Sequence, residues 1–385
     1  LALVREVLQQ VVPRPLVQAG GGQAFDQFDL HRRRNRGRHV LQAVARANLD
    51  RAGLADRVRV IAGDAAETLA ALNVAGPVHV AGNSLGGAVT MTLLARHPEL
   101  VASMTLVDPA GFGKEVTPLL RLLGKRVVFT HHGPDYDRQK WGKMAKEMLR
   151  LGEKWAVKYA NEVIVISEVI NTLIKTKHGR TNANVIYNGV RQPQLPAEET
   201  RRATLNQYSL EAGQYVVAVA RFVEEKGLHD LLAAYKASNC SLPLVLIGDA
   251  DHPDEYSERL KKQAAETPGA IMTGFISGDP LHTLFSQAGL FVLPSYHEGL
   301  PIALLEAMSW SLPVIVSDIP ANLEIGLPAE VYFPTGNVAA LAQKLQSWRG
   351  EETADYSQLM PKYRWPDIAA KTAQVYQRLM NKSQP

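Results

Sequence analysis

Two glutamates eight positions apart, Glu298 and Glu306, bracket a turn in the stretch His297-Glu298-Gly299-Leu300-Pro301. A glycine-containing turn that enters a helix points backbone N–H groups outward, a natural seat for an anion or for sugar oxygens, here through Gly299 and Leu300. Ionised carboxylates only accept hydrogen bonds, which suits them to sugar and ribose hydroxyls. The plain alternative is an acidic helix cap beside a solvated glutamate. Upstream, Arg221 and Lys226 stand in Ala220-Arg221-Phe222-Val223-Glu224-Glu225-Lys226-Gly227. Two cations between an apolar run and a helical pattern are what a diphosphate requires. In isolation they would be two surface charges. Gly248-Asp249 closes another apolar run, at the kind of strand end where open α/β sheets bind ligands. Gly274-Phe275-Ile276-Ser277 follows a third run and could offer backbone groups to a nucleobase.

These residues need a scaffold, and the hydrophobic pattern supplies one. Apolar runs at 216–220, 244–247, 271–273, 290–293 and 314–316 predict strands. Helical periodicity fills 228–238, 255–266, 280–288, 304–310 and 338–348 between and after them, and a terminal helix spans about 366–380. An earlier series has strands at 127–130, 163–167 and 184–187. A long helix at 140–159 carries Trp141, Met144, Met148, Trp155 and Tyr159 at helical spacing, and a second helix runs to about 177. Pro193 and Pro196 mark a linker. Alternating strands and helices imply parallel sheets. The long helix is also basic, with Lys140, Lys143, Lys146, Arg150, Lys154 and Lys158. A solvated face is the default for such a run; contact with an anionic membrane or a lipid-linked acceptor is the sharper reading.

The 385 residues suggest two or three domains, with 46% hydrophobic and 21% charged residues in ordinary globular proportion. A net charge of +4 is too weak to imply nucleic acid. The single cysteine, Cys240, can form neither an intrachain disulfide nor a zinc cluster, and a reducing cytoplasm fits it. No apolar run approaches the roughly 18 residues that span a bilayer. The chain opens on Leu1, which we read as a truncated or processed start.

From about Val127 onward, the motifs together resemble the retaining glycosyltransferases of family 4. The resemblance rests on the paired glutamates at E-x7-E spacing, the Arg221 and Lys226 pair, the loop from Gly274, the "IYNGV" segment and "LFVLPSYHEGLPIALLEAMSWSLPVIVSD". It implies a GT-B fold, two Rossmann-like domains facing a cleft. It implies hexose transfer from a nucleoside diphosphate, UDP, GDP or ADP, to a saccharide or lipid-linked acceptor, without a metal. Arg221 and Lys226 would hold the donor diphosphate. Glu298 would bind the sugar, helped by the Gly299 and Leu300 amides, and Glu306 the ribose. Gly248, Asp249, Gly274 and Phe275 would complete the donor site. In Thr130-His131-His132-Gly133, His132 is the better match to the family's active-site histidine. Apart from the resemblance, the cysteine usage and the basic helix at 140–158 suggest a cytoplasmic protein, peripheral at the inner membrane face.

The resemblance divides the chain into an ill-defined segment 1–39, an atypical N-terminal domain 40–192, a nucleotide-sugar-binding domain 193–362 and a final helix 363–385 packing back on the N-terminal domain. The family's opening strand and glycine-rich loop are not expected here, since no convincing strand precedes Gly20-Gly21-Gly22. The basic run 31–39 reads as a solvated segment. Residues 40–126 read as a mosaic, with helices at 40–52, 65–72 and 86–96 and strands at 58–61, 78–81 and 104–107. Its strands could complete the sheet begun at Val127. Gly82-Asn83-Ser84-Leu85-Gly86 resembles the nucleophile elbow of an α/β-hydrolase, and residues 47–64 weakly resemble a methyltransferase fragment. Two alternatives therefore stand beside the transferase: a nucleotide-binding but catalytically defective chimera, and a serine hydrolase acting through Ser84.

Overall fold

The computed structural model describes residues 16–19, 58–59, 78–83, 97–107, 121–122, 126–134, 143–251, 253–348 and 354–381. The basic run 31–39, the helices expected at 40–52, 65–72 and 86–96, and Ser84-Leu85-Gly86 of the elbow lie outside these residues. Strands β1 (Leu16–Ala19), β2 (Val58–Arg59), β3 (Val78–Asn83) and β4 (Val101–Val107) form a parallel sheet in the order β2-β1-β3-β4. β1 corrects the sequence reading: a strand does run directly into Gly20-Gly21-Gly22, and it sits inside the sheet. Four residues between Pro15 and a glycine run are too short to show a period.

Strands β5 (Val128–His131), β6 (Glu162–Val165) and β7 (Asn184–Val185) form a second parallel sheet. Among the described residues the two sheets are separate, so the expected single sheet is not formed there. Helix α1 (Lys143–Tyr159) connects β5 to β6, and α2 (Glu168–His178) follows β6. The helical stripe of α1 does not face the core. Ala156, Val157 and Ala160 are buried instead, whereas Met144, Met148 and Tyr159 are exposed. Glu153 is buried on the inner side and ties three elements together. His178 Nε2 and Lys177 Nζ reach its Oε1 at 2.8 and 3.1 Å. The Gly133 N–H donates to His131 Nδ1 at 3.0 Å, which leaves the ring proton on Nε2, 2.9 Å from Glu153 Oε2. Burial alone would raise the Glu153 pKa. Hydrogen bonds from His131, His178 and Lys177 outweigh it and hold the carboxyl well below the usual range.

After the two prolines the chain forms α3 (Glu198–Gln207), which the sequence reading passed over as linker. Its residues are mostly charged or polar, so no apolar stripe announces it. The C-terminal sheet comprises β8 (Val216–Val219), β9 (Leu244–Ile247), β10 (Ala270–Gly274), β11 (Leu290–Leu293), β12 (Val314–Ser317) and β13 (Tyr332–Phe333). All pairs are parallel, in the order β10-β9-β8-β11-β12-β13. Helices α4 (Leu228–Ser238), α5 (Glu255–Ala265), α6 (Asp279–Ser286), α7 (Ile302–Ser309), the single turn α8 (Pro320–Leu323) and α9 (Val338–Ser347) connect or follow these strands.

The two-residue side-chain period of the strands divides the core. Val216, Leu244, Leu246, Leu290 and Val292 join Leu228, Leu231, Leu341 and Leu345 on one face. Val217, Val245, Ile247, Phe291 and Leu293 join Leu284, Leu304 and Met308 on the other. That second cluster runs on into Val163, Val165, Ile166, Ile170 and Val190, so both halves of the chain share one apolar core. The last helix, α10 (Trp365–Asn381), packs Ile368 and Val375 against Ile164 and Ile186. Arg378 donates to Asn184 Oδ1 at 2.6 Å and Arg126 to the Leu379 carbonyl at 2.9 Å, fixing it to the N-terminal half.

Candidate active site

The strand order reverses between β8 and β11: the chain leaves β8 toward β9 and β10 on one side and takes up β11, β12 and β13 on the other. Connections diverge there and open a crevice at the carboxyl ends of the two strands. Lys226 arrives from the β8–α4 connection and Glu298 from the β11–α7 connection. The Lys226 ammonium lies 2.7 Å from Glu298 Oε1, and Ser295 donates its hydroxyl to the same oxygen at 2.7 Å. Both charged side chains are mostly buried. A second tie joins the two connections, from the Tyr296 N–H to the Glu225 carbonyl at 2.9 Å. Such a pair adds little net stability, because desolvation offsets attraction, but removing one member strands the other.

The backbone there allows little substitution. Gly227 has φ +65, and an added Cβ would lie 2.2 Å from the Pro294 carbonyl oxygen at the end of β11. Gly248 has φ +139, and its Cβ would lie 1.9 Å from the Ala220 carbonyl oxygen. Both glycines let strand-end loops close onto the crevice with no side chain between. The Phe222 N–H donates to the Asp249 carbonyl at 3.0 Å and the Gly248 N–H to the Gly274 carbonyl at 3.1 Å, so the loops after β8, β9 and β10 form one connected rim. Arg221 sits on that rim, half-exposed, and pairs with Asp251 Oδ2 at 2.8 Å. The Asp249 side chain accepts from the Ala250 N–H and meets Lys261 Nζ at 3.1 Å; the first contact, then the second, hold its carboxyl below the usual range. Phe275 projects into solvent.

His132 is exposed and directly follows β5, whose last residue, His131, is wholly buried. The His132 carbonyl faces Gly299: a Cβ added to Gly299 would lie 2.6 Å from that oxygen. The strand-end turn of the N-terminal half and the Glu298-Gly299 turn therefore meet backbone to backbone. A second contact joins the halves at α2. The Glu324 carboxylate accepts from the Glu168 N–H at 2.6 Å and the Val169 N–H at 3.0 Å, supplementing the Ser167 cap on the Ile170 N–H.

Glu306 lies on α7, and the Leu300 side chain before it is buried in the shared core. Burial raises the Glu306 pKa, and Arg191 in the linker works in the opposite direction. A raised acid holds its proton more tightly in the native state than in the unfolded chain. Stability therefore falls as pH climbs through the ordinary carboxylate value toward the native one, and the deficit persists above it. Glu306→Gln is expected to melt higher than the wild type near neutral pH, with the gap closing on acidification. A variant melting lower at neutral pH would contradict this.

Sequence reasoning placed Arg221, Lys226, Gly248, Asp249, Gly274, Glu298, Gly299, Leu300 and Glu306 on strand ends and on the helix beyond, where the structure also has them. It missed Ser295, Asp251, Arg191, Tyr296 and Glu324. Each acts through a partner distant in sequence or through a turn with no fixed pattern. Tyr296 donates its hydroxyl to Asp230, which raises its pKa to about 12, and stacks on His229 with ring centroids 6.1 Å apart.

Two α/β units meeting across a crevice, with a cation–carboxylate pair at the switch point, define a GT-B architecture. Residues 202–359 match the family model described as glycosyl transferases group 1, and residues 53–192 match glycosyltransferase family 4. Each half of the chain therefore matches a glycosyltransferase domain model. The second match runs through most of the mosaic region, so the hydrolase and methyltransferase resemblances of that region are set aside. The chain is 27% identical over 197 residues to the O-antigen chain mannosyltransferase B of Escherichia coli, covering 49% of this chain and 51% of the relative. It is 27% identical to the putative teichuronic acid biosynthesis glycosyltransferase TuaC of Bacillus subtilis, covering 70% and 66%. The chain thus spans about half to two thirds of these relatives' length. Among solved structures, Anabaena Alr3699/HepE in complex with UDP and glucose superposes at a TM-score of 0.64 with 17% identity, covering 95% of this chain and 99% of that one. Sucrose-phosphate synthase from Thermosynechococcus elongatus superposes at 0.56 with 21% identity, covering 79% and 74%. At these identities the likeness is one of fold.

Proposed function

We propose that the chain is a retaining glycosyltransferase that moves a hexose from a nucleoside diphosphate to a saccharide or lipid-linked acceptor. The observation that carries the reading is the Lys226–Glu298 pair, which joins two motifs 72 residues apart at the switch-point crevice. In the proposed reaction the bond from the anomeric carbon to the diphosphate breaks, and its electron pair stays on the phosphate oxygen. The acceptor hydroxyl bonds to the same face of the sugar, and its proton leaves with the diphosphate. Lys226 and Arg221 would neutralise the developing charge, Arg221 exchanging Asp251 for phosphate oxygens. Glu298 would then be free to accept from sugar hydroxyls, and Glu306 would accept from the ribose. His132 would approach the sugar from the other wall. Phe275 and the Gly274 backbone would meet the base. The names of the mannosyltransferase and teichuronic acid relatives support hexose transfer and a polysaccharide acceptor.

Calorimetric titration with UDP, GDP and ADP tests the donor site. One nucleotide should bind saturably, and more weakly in both Glu306→Ala and Arg221→Ala. Failure of all three to bind would refute the reading. Binding of one, with neither transfer nor donor hydrolysis across a panel of its hexose conjugates, would leave a nucleotide-binding domain without a working acceptor side.

A further inference from the structure

The outward face of α1 carries an exposed apolar stripe that no other element among the described residues covers. Met144 is 80% exposed, Met148 58%, Leu151 43% and Tyr159 40%. These four are nearly half of the large hydrophobic side chains exposed among the described residues, gathered on one helix. At about 100° per residue they fall within an arc of roughly 80° on the helical wheel, with half-buried Trp155 inside it. Gly152, Glu153, Ala156, Val157 and Ala160 take the inner side. Lys143, Arg150, Lys154 and Lys158 line one edge of the stripe, and the acid among them, Glu147, is paired with Arg150. Lys158 Nζ lies 5.3 Å from the Tyr159 ring centroid, where stripe and cations meet.

We propose that this face of α1 seats the protein on an anionic lipid surface. Unbranched methionine and leucine side chains enter the boundary between headgroups and acyl chains, while lysine stems lie along it and hold their ammonium groups at the phosphates. Charge complementarity selects the occupant: a strip of cations beside an apolar ridge matches a negatively charged bilayer, which offers phosphate at one depth and hydrocarbon just below. Among the described residues no helix is long and apolar enough to cross a membrane, and the contact proposed for α1 lies along the bilayer surface. A transferase docked in this way would work on acceptors at the bilayer surface.

Co-sedimentation of the full chain with vesicles tests the proposal. Phosphatidylcholine vesicles are compared with vesicles that also contain phosphatidylglycerol. The protein should bind the second and not the first, and added salt should weaken binding. Lys143→Gln, Lys154→Gln and Lys158→Gln should each weaken it about fivefold, and the triple variant by roughly 100-fold. Met144→Ser combined with Met148→Ser should lose binding with the charges intact, since each methylene withdrawn from lipid weakens partitioning about fourfold. Thermal melting checks that both multiple variants are folded. No binding to anionic vesicles, equal binding to both kinds, or binding that survives in either multiple variant would overturn the proposal. So would retention on immobilised heparin without binding to vesicles. The assay reads adsorption and not turnover, so its failure would leave the transferase reading standing.

Discussion

Replacing Lys226 by alanine is expected to lower kcat/KM for sugar transfer by roughly 10²–10³, the usual cost of removing one preorganised charge from a site where charge develops. The geometry makes the expectation specific. Lys226 is mostly buried and 2.7 Å from Glu298, so it is already desolvated and held at the crevice to which the proposed reaction assigns the leaving diphosphate. Fixed charge of this kind needs no reorganisation during the reaction. The substitution also has a structural side, because Glu298 would keep only the Ser295 hydroxyl as a partner. An unsatisfied, mostly buried carboxylate costs about 1–3 kcal/mol or more. Pairing the substitution with Glu298→Gln separates the two effects: the double variant should regain melting temperature and gain no rate. Lys226→Arg should recover only part of the rate, since a planar fork does not reproduce a compact ammonium. Turnover and melting measured on the four proteins decide the matter. A folded Lys226→Ala protein turning over within threefold of the wild type would remove Lys226 from the machinery.

Gly299→Ala carries the other large expectation, a loss of roughly 10²-fold in kcat with the fold intact. The added Cβ would stand 2.6 Å from the His132 carbonyl oxygen, well inside contact distance, and that oxygen belongs to backbone that cannot rotate away. Gly133 lies directly behind, its own Cβ position 3.9 Å from the Gly299 Cα. The two turns would have to move apart by up to about 1 Å, and a displacement of that size at a reacting centre costs about 10²-fold. The cost falls on turnover more than on nucleotide affinity, because Arg221, Lys226, Glu298 and Glu306 all come from the C-terminal half. Calorimetry should therefore find the nucleotide affinity of Gly299→Ala within a few-fold of the wild type, while the transfer assay finds the loss. Wild-type turnover in this variant would mean that the two halves do not meet at Gly299 during the reaction.

The amino-acid sequence by itself determined five of the six strands of the C-terminal sheet, the two-residue β13 being too short to show a run. Leu244–Ile247 and Leu290–Leu293 are continuous apolar runs buried on both faces, a local property visible in four residues. It also determined which side chains sit on strand ends, since each run stops at a marked residue such as Gly248 or Gly274. Tertiary structure decided the rest. The periodicity of α1 showed that the helix is two-sided but not which side meets the protein; Glu153 and Ala156, with partners on β5 and α2, turned Met144 and Met148 outward. Of the adjacent histidines the family resemblance singled out His132 but said nothing of their burial; His131, the last residue of β5, is buried on Glu153, and His132 just beyond the strand is exposed. The pairing of Lys226 with Glu298, the cap of Glu324 on α2 and the closeness of Gly299 to the His132 carbonyl are contacts between segments far apart in sequence. Propensity and period act over a few neighbouring residues, so they fixed the elements. The contacts that make the crevice come from how the elements pack.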